Sequence, residues 1–170
     1  MGEPGTGFGQ GSVRMVSGRD GTILWTASGS AAGDQFGFSV SYCRSIDADG
    51  VADVLVGSPG FAGGIGRVEI LSGVTGAPLV VSPNYGGGFG TAIDHVGTFD
   101  NDVSAEVAIS APGLGRIYIL DAVTLTNGWF IGGPASEGFG DVVAAIGDFT
   151  GDLRNEIAFG SPLAGLEPGG

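Results

Sequence analysis

The clearest candidates for chemistry are three aspartates that lie within seven positions, immediately before an apolar run. They are Asp47, Asp49 and Asp53 in the stretch "SIDADGVADVLVGSP". Asp and Gly are the usual residues of tight turns, so the stretch is compatible with a plain hairpin loop. Carboxylate oxygens at this spacing are also the ligands that a hard cation such as Ca²⁺ prefers. One copy of the pattern leaves both interpretations open.

The overall charge favours a cation as a partner. The 170-residue chain has 18 acidic residues against six arginines, and its formal net charge is −12. Such a chain repels phosphate backbones and anionic membrane surfaces, so we expect neither nucleic acid nor a membrane as a partner. No apolar run in the sequence approaches the length of a membrane span.

Three landmarks recur in a fixed order about every 50 residues. A Phe-Gly pair is followed by an Asp-rich loop with a Ser-Pro or Ala-Pro pair, and then by a Gly-x-Val/Ile strand. The Phe-Gly pairs begin at Phe36, Phe89 and Phe139. Short apolar runs alternate with Gly, Pro or Asp clusters, and no helical period persists. The pattern predicts four antiparallel strands per unit, as in a propeller blade.

These landmarks resemble the FG-GAP repeat, known from the β-propeller of integrin α subunits and from many bacterial surface proteins. "VGSP", "ISAP" and "FGSP" stand where that family has its Gly-Ala-Pro signature, and the resemblance extends from Gly11 to Pro162. It implies an all-β fold, a β-propeller of four-stranded antiparallel FG-GAP blades with calcium in the loop between the first two strands of a blade. It also implies a non-enzymatic module for adhesion, for protein or glycan binding, or for scaffolding.

The resemblance places oxygen ligands for Ca²⁺ at loop positions 1, 3, 5 and 9, and a backbone carbonyl at position 7. The resulting candidates are Ser45, Asp47, Asp49, Val51 and Asp53 in the first loop, Thr98, Asp100, Asp102, Ser104 and Glu106 in the second, and Asp148, Thr150, Asp152, Arg154 and Glu156 in the third. Each loop has three carboxylates and one hydroxyl. This all-oxygen set suits Ca²⁺ and is wrong for zinc or copper.

Position 6 distinguishes the three loops, because a sharp turn there favours a left-handed backbone. The first loop has Gly50 at this position, the second has Val103 and the third has Leu153. A β-branched residue is strongly disfavoured in that conformation. We therefore expect the first loop to be the best calcium site, the third the next and the second the weakest. Hairpin turns without metal are the alternative for each loop.

Other residues that could carry chemistry favour packing over catalysis. His95 is the single histidine and has no histidine, cysteine or basic partner nearby in sequence, so we expect a packed or rim position. Cys43 lies alone in an apolar alternation, which predicts a buried, inert thiol. Trp25 and Trp129 resemble the tail of the tryptophan-docking repeat of quinoprotein propellers, a distant enzyme alternative. Packing between blades is the favoured interpretation, and no enzyme activity is predicted.

The strand count predicts an incomplete ring. We expect a propeller segment over 11–162 between flexible tails at 1–10 and 163–170. It comprises about three blades per chain, with one blade split between the termini, which leaves strand edges open to pairing. Either two chains close a six-bladed dimer, or the chain is a piece of a longer propeller. A structural assembly unit, whose repeats close a ring or polymerise between chains, is therefore the second function class.

An extracellular or cell-surface location follows from the resemblance. The first ten residues, "MGEPGTGFGQ", have neither the basic segment nor the apolar stretch of a signal peptide. We expect that a signal has been removed or that the sequence is part of a longer precursor.

Overall fold

The structure is a computed structural model that describes residues 2–3, 9–99 and 104–165. In this part of the chain the strands are β1 Gly2–Glu3, β2 Ser12–Val16, β3 Ile23–Ser28, β4 Ser39–Cys43, β5 Asp53–Ser58, β6 Arg67–Leu71, β7 Pro78–Val81, β8 Ile93–Gly97, β9 Glu106–Ala111, β10 Arg116–Asp121, β11 Trp129–Gly132, β12 Val142–Gly147 and β13 Glu156–Gly160. Short helical turns cover Phe61–Gly64, Pro112–Leu114 and Ala135–Glu137. The predicted all-β class is confirmed.

The strands form four antiparallel sheets, each built from consecutive strands. The first sheet is β1–β3, the second β4–β7, the third β8–β11 and the fourth β12–β13. The two complete units and the two half units expected from the repeats are therefore present as sheets. Gly2 and Glu3, in the segment predicted as a flexible tail, form β1 and pair with Val13 and Ser12 at one edge of β2.

Neighbouring sheets pack face to face, which buries the central strands on both sides. On β5, Val54 and Val56 pack against Val13 and Trp25 of the first sheet. Leu55, which points to the opposite face, packs in the core shared with the third sheet. Every residue of β5 and of β9 is buried. This two-sided burial explains why these strands are continuously apolar and do not alternate.

The Phe-Gly landmark joins consecutive sheets. Its phenylalanines are buried, and each following glycine donates its N–H to the carbonyl near the end of the second strand of its own sheet. These bonds are Gly37 to Gly57 at 3.0 Å, Gly90 to Ser110 at 2.9 Å and Gly140 to Gly160 at 3.0 Å. Two of the phenylalanines also form bridges to the preceding sheet, Phe36 with Gly11 and Phe89 with Gly66.

Both bridges require glycine, since Gly11 and Gly66 each have a positive φ and a Cβ on either would clash with the backbone of the bridged phenylalanine. Gly66 has a φ of +87°, and a Cβ there would lie 2.3 Å from both the backbone N and the backbone O of Phe89. A side chain would therefore meet a steric clash and a left-handed backbone together.

Within residues 9–99 and 104–165, no helix has the length and apolarity needed to cross a bilayer.

We predict that Gly66→Ala lowers the free energy of unfolding by about 3 kcal/mol or more, since it combines backbone strain with a clash against an immobile backbone. Urea denaturation measures the loss. Gly63→Ala is the matched control, because Gly63 also has a positive φ of +74° but has no atom within 4 Å of an added Cβ. We expect the control to lose only about 1–2 kcal/mol. Equal losses in the two variants would contradict the close-contact explanation.

Candidate metal-binding loops

Three acidic loops connect the first and second strands of the second, third and fourth sheets. The same hydrogen bond closes each of them: the N–H of loop position 2 donates to the carboxylate at position 9. The distances are 2.6 Å from Ile46 to Asp53, 2.8 Å from Phe99 to Glu106 and 2.7 Å from Phe149 to Glu156. The acid at the start of the second strand therefore holds the loop whether or not it also binds an ion.

The third loop brings its three predicted carboxylates together. One oxygen each from Asp148, Asp152 and Glu156 lies within 4.8 Å of the others, and no other such acidic cluster occurs in the described part of the chain. The hydroxyl of Thr150 donates to Glu156 Oε1 at 3.3 Å, so it lies beside the same cluster. Four of the five residues predicted for this loop thus share one place.

Backbone groups fix these carboxylates in position. Asp148 accepts hydrogen bonds from the N–H groups of Gly151, Asp152 and Leu153 at 2.6, 3.1 and 2.9 Å. Asp152 Oδ1 accepts one from the N–H of Arg154 at 3.0 Å. Asp148 and Asp152 are exposed to solvent, so an ion would reach them without a rearrangement of the core.

Position 6 has the left-handed backbone that the sequence predicted. Gly50 in the first loop has a φ of +80°, and Leu153 in the third has a φ of +71°. A leucine in this region costs about 1–2 kcal/mol, which the turn around Asp148 must offset. Val103 of the second loop lies outside the described residues.

The first loop arranges its carboxylates differently. Asp53 is buried, and its two oxygens accept the N–H groups of Ile46 at 2.6 Å and Gly73 at 2.9 Å. Asp47 Oδ1 and Asp49 Oδ1 lie 3.5 and 3.3 Å from the hydroxyl of Ser45. Asp47 and Asp49 therefore converge on Ser45, while Asp53 is held by backbone donors. Val51 donates its N–H to Asp49 Oδ1 at 2.7 Å.

The second loop is described only in part, because Asp100 and Asp102 lie outside the described residues. Glu106 is buried and Thr98 is exposed. The side chain of Ser104 forms a hydrogen bond with Asp121. The carbonyl of Thr98 accepts the N–H of Asn155 at 2.8 Å, which links this loop to the third loop.

The donor set of the third loop fits calcium. It offers carboxylate and hydroxyl oxygens, with the carbonyl of Arg154 at position 7, and neither nitrogen nor sulfur. Oxygen-only coordination is typical of Ca²⁺. Without a cation, three carboxylates this close would repel one another, so a bound ion would remove an unfavourable interaction.

Asp94 is a residue whose role the sequence did not reveal. Its Oδ1 accepts the hydroxyl of Ser41 on β4 at 2.8 Å, and its Oδ2 accepts the N–H of Ala145 on β12 at 2.8 Å. One carboxylate on β8 therefore joins the first strands of three successive sheets. The only available sequence signal was that an acid here has no counterpart in the other repeats.

His95 and Cys43 occupy packed positions. The ring of His95 lies 4.9 Å from the ring of Tyr42, and its Nε2 is buried without a hydrogen-bond partner among the described residues. Burial lowers the pKa of His95, Arg44 lowers it further, and the Asp94 carboxylate opposes both effects. Cys43 is buried, and burial raises the pKa of its thiol to about 11. The expectation that both residues pack is confirmed.

Comparison with known proteins gives two similar sequences, both from Xenopus laevis. Integrin alpha-4 is 35% identical over 116 residues, which cover 63% of this chain and 11% of that protein. Integrin alpha-5 is 30% identical over 125 residues, which cover 66% of this chain and 12% of that protein. The chain thus spans only a small part of the length of these relatives. No protein-family model matches it. The predicted resemblance to the repeats of integrin α subunits is confirmed.

We predict that His95 makes stability depend on pH. Its pKa in the folded protein lies below the ordinary value of 6.5. The unfolded chain therefore takes up a proton first as the pH falls, and stability is lost from about pH 6.5 down to the folded pKa. Thermal unfolding at pH 7.5 and 5.5 measures this loss. His95→Phe keeps a ring beside Tyr42 and removes the titration, so its loss should be smaller. An identical pH dependence in both proteins would exclude His95 as the cause.

Proposed function

Starting from its integrin α-like FG-GAP repeats, we propose that this chain forms part of a calcium-stabilised β-propeller that acts as an extracellular adhesion-type binding module. The observation that carries the proposal is the carboxylate cluster of the third loop, at the positions where the FG-GAP resemblance places calcium ligands.

The arrangement of the sheets supports the propeller. Each sheet is formed by consecutive antiparallel strands, as in a propeller blade. The first strands lie next to one another, β4 beside β8 and β8 beside β12. Strands that come first in each blade line the central axis of a propeller, and the Asp94 carboxylate would lie there as a fixed link between three blades.

Calcium would act as a structural ion. In the third loop the proposed ligands are the side chains of Asp148, Thr150, Asp152 and Glu156 and the carbonyl of Arg154. Because its three carboxylates lie together, the third loop is the better candidate for calcium in the structure. The sequence had favoured the first loop, because it has Gly50 at position 6. The first and second loops are proposed as further calcium sites, with ligands at the same loop positions 1, 3, 5, 7 and 9.

A binding partner would contact the opposite end of the sheets from the acidic loops. A depression of about 540 Å³ lies there, lined by Ala31–Gln35 of the segment before β4 and by Gly60–Gly64 after β5. Asp34 shapes it, because its Oδ2 accepts three hydrogen bonds from Ser30 and Ala31. Protein or glycan is the proposed partner class. His95 and Cys43 are the residues most suited to act as a general base and a nucleophile. Because both are packed in the interior, a binding function is favoured over a catalytic one.

We predict that Asp152→Asn weakens calcium binding to the third loop by roughly tenfold or more, since calcium affinity depends on the number of charged ligands. Isothermal titration with CaCl₂ measures the affinity and the number of sites. Asp20→Asn is the matched control, because it removes one negative charge from an exposed turn that belongs to none of the loops. Equal affinities in wild type and Asp152→Asn would exclude this site. Asp49→Ala tests the first loop in the same way.

We also predict that chelation lowers the thermal stability of the wild-type chain. A ligand that binds only the folded state stabilises it by mass action, by about 1–3 kcal/mol per site at saturating calcium. Melting curves in EDTA and in millimolar CaCl₂ measure the difference, which should be smaller in Asp152→Asn. Superimposed curves for the wild type would leave hairpin turns without metal as the explanation of all three loops.

A further inference from the structure

Two arginines occupy equivalent positions in the two complete four-stranded sheets. Arg67 is the first residue of β6 in the second sheet, and Arg116 is the first residue of β10 in the third. Each guanidinium lies over an aromatic ring. The Cζ atom of Arg67 is 4.0 Å from the ring centroid of Phe61, and that of Arg116 is 4.3 Å from the ring centroid of Phe130. Stacking on a ring therefore positions both arginines.

The two arginines differ in their charge partners. Arg67 forms an ion pair with Glu69, which lies two residues further along β6 and so on the same face. The corresponding residue of β10 is Tyr118, whose neutral hydroxyl accepts a hydrogen bond from Arg116 Nη1 at 3.3 Å. No acid in the described part of the chain forms an ion pair with Arg116. Arg116 is therefore a positioned cation without a counter-ion, although the chain has a net charge of −12.

The surroundings of Arg116 belong to the two complete sheets. Tyr118, on the same face of β10, packs in the cluster that contains Leu55 and Val68 of the second sheet. Its ring also lies 4.7 Å from the ring of Tyr85, in the connection between the second and third sheets. Arg116 therefore faces the second sheet, and its environment does not depend on the first or the fourth sheet.

Arg116 is open towards the outer strand of its own sheet. Across β10 and β11 it is opposite Gly132, which is exposed and has no side chain to cover the guanidinium. Phe130, whose ring stacks on Arg116, is 48% exposed. A ligand can therefore reach both groups from the outer edge of the third sheet.

Arg116 lies far from the acidic loops. β10 runs from Arg116 to Asp121, and Asp121 is opposite Glu106 of the second acidic loop. At about 3.4 Å per residue, the two ends of β10 are about 17 Å apart. This distance exceeds the Debye length of about 8 Å at physiological salt, so the loops repel an anion at Arg116 only weakly. The arginine lies at the end of the sheets where the proposed function places the partner.

A single carboxylate is the anion that suits this site. A guanidinium presents its N–H donors in a planar fork that can bind both oxygens of one carboxylate, and stacking on Phe130 fixes the plane of the fork. The hydroxyl of Tyr118 uses only one of these donors. Polyanions such as nucleic acids are disfavoured, because the net charge of −12 repels them at long range.

The outer strand offers the backbone groups that a peptide needs. β11 is the last strand of a complete sheet, and among the described residues it pairs only with β10. Its second edge therefore presents N–H and C=O groups to which an extended segment can add as a further strand. The corresponding strand of the second sheet, β7, begins with Pro78, a residue that discourages pairing at an edge. The third sheet thus combines an unneutralised arginine with an outer strand that has no proline.

We propose that β11 and Arg116 bind an extended segment of a partner protein, with one acidic side chain of that segment paired to Arg116. The segment adds a fifth strand beside β11, and its acidic residue lies opposite Gly132. The Cα atom of that residue is then about 10 Å from the Cα atom of Arg116, two strand spacings away. An arginine and a glutamate side chain together span this distance. The inference rests on the binding module of the proposed function and names the chemistry that this module recognises.

The test is a titration followed by NMR on the isotope-labelled chain. The probe is the peptide Val-Thr-Glu-Thr-Val with acetylated and amidated ends. We expect the backbone amide resonances of Trp129–Gly132 and the Nε–H resonance of Arg116 to shift with one dissociation constant. The peptide Val-Thr-Gln-Thr-Val has the same shape without the charge. It should bind roughly tenfold or more weakly, because it lacks the charge-assisted hydrogen bonds.

Substitutions at Arg116 separate its charge from its geometry. Arg116→Gln should bind the glutamate peptide roughly tenfold or more weakly than the wild type and no better than it binds the glutamine peptide. Arg116→Lys keeps the charge but loses the planar fork, so its affinity should lie between the two. Arg19→Gln is the matched control, because it removes the same charge from an exposed turn between β2 and β3 and should leave the affinity unchanged.

Four outcomes would overturn the inference. They are the absence of any shift at millimolar peptide, equal binding of the two peptides, an Arg116→Gln variant with wild-type affinity, and a shift at Arg116 without one in β11. N-acetylneuraminic acid, titrated in the same way, represents acidic glycans. Binding of this sugar more tightly than the glutamate peptide would assign the site to glycans and exclude the peptide. None of these readouts depends on calcium, so this inference and the calcium sites of the proposed function fail separately.

Discussion

The packing of one sheet face on the next is the interaction on which the rest of this structure depends. A four-stranded sheet has no closed core of its own, so its central strand becomes buried only when neighbours cover both faces. Val54 and Val56 face one neighbour and Leu55 faces the other, and all three are buried. Removal of apolar area from water supplies most of the stability, at about 25 cal/mol per Å². The same requirement explains why the central strands are fully buried in the second and third sheets but partly exposed in the fourth.

Among the described residues, the first and fourth sheets each pack against another sheet on one face only. On β13 of the fourth sheet Phe159 is 41% exposed, while every residue of the matching strands β5 and β9 of the inner sheets is buried. Exposed apolar surface next to an unpaired strand edge favours association.

The carboxylate at position 9 of each acidic loop has a structural role whether or not the loop binds an ion. The carboxylate at position 9 accepts an N–H from position 2 in all three loops, and in the first loop Asp53 also accepts the N–H of Gly73. These bonds order the loop before any ion arrives, which lowers the entropic cost of binding. They leave the exposed acids of the third loop close together, where mutual repulsion favours a cation. Structural and metal-binding explanations of the acidic pattern are thus not exclusive.

Much of the fold and part of the site could be predicted from the sequence. The spacing of Phe36, Phe89 and Phe139 determined the repeat unit, because each position needs a buried aromatic ring followed by a glycine. The period-2 and continuous apolar runs determined the strands. The sequence predicted a left-handed backbone at position 6 of the acidic loops, and Gly50 and Leu153 both have a positive φ. These features are local: backbone sterics and side-chain burial within one unit decide them.

Contacts between units were decided only by the tertiary structure. Nothing in the sequence indicated that Asp94 joins three strands, since its partners Ser41 and Ala145 lie 53 and 51 positions away. The same limit applied to the loops: their spacing is alike, yet Asp53 is held by backbone donors while the third loop gathers its acids. Nor could the sequence distinguish Trp25 from Trp129, which occupy equivalent positions. Trp25 is 8% exposed because its indole donates to the carbonyl of Gly73 in the next sheet, whereas Trp129 is 43% exposed, and this difference depends on which surfaces meet in space.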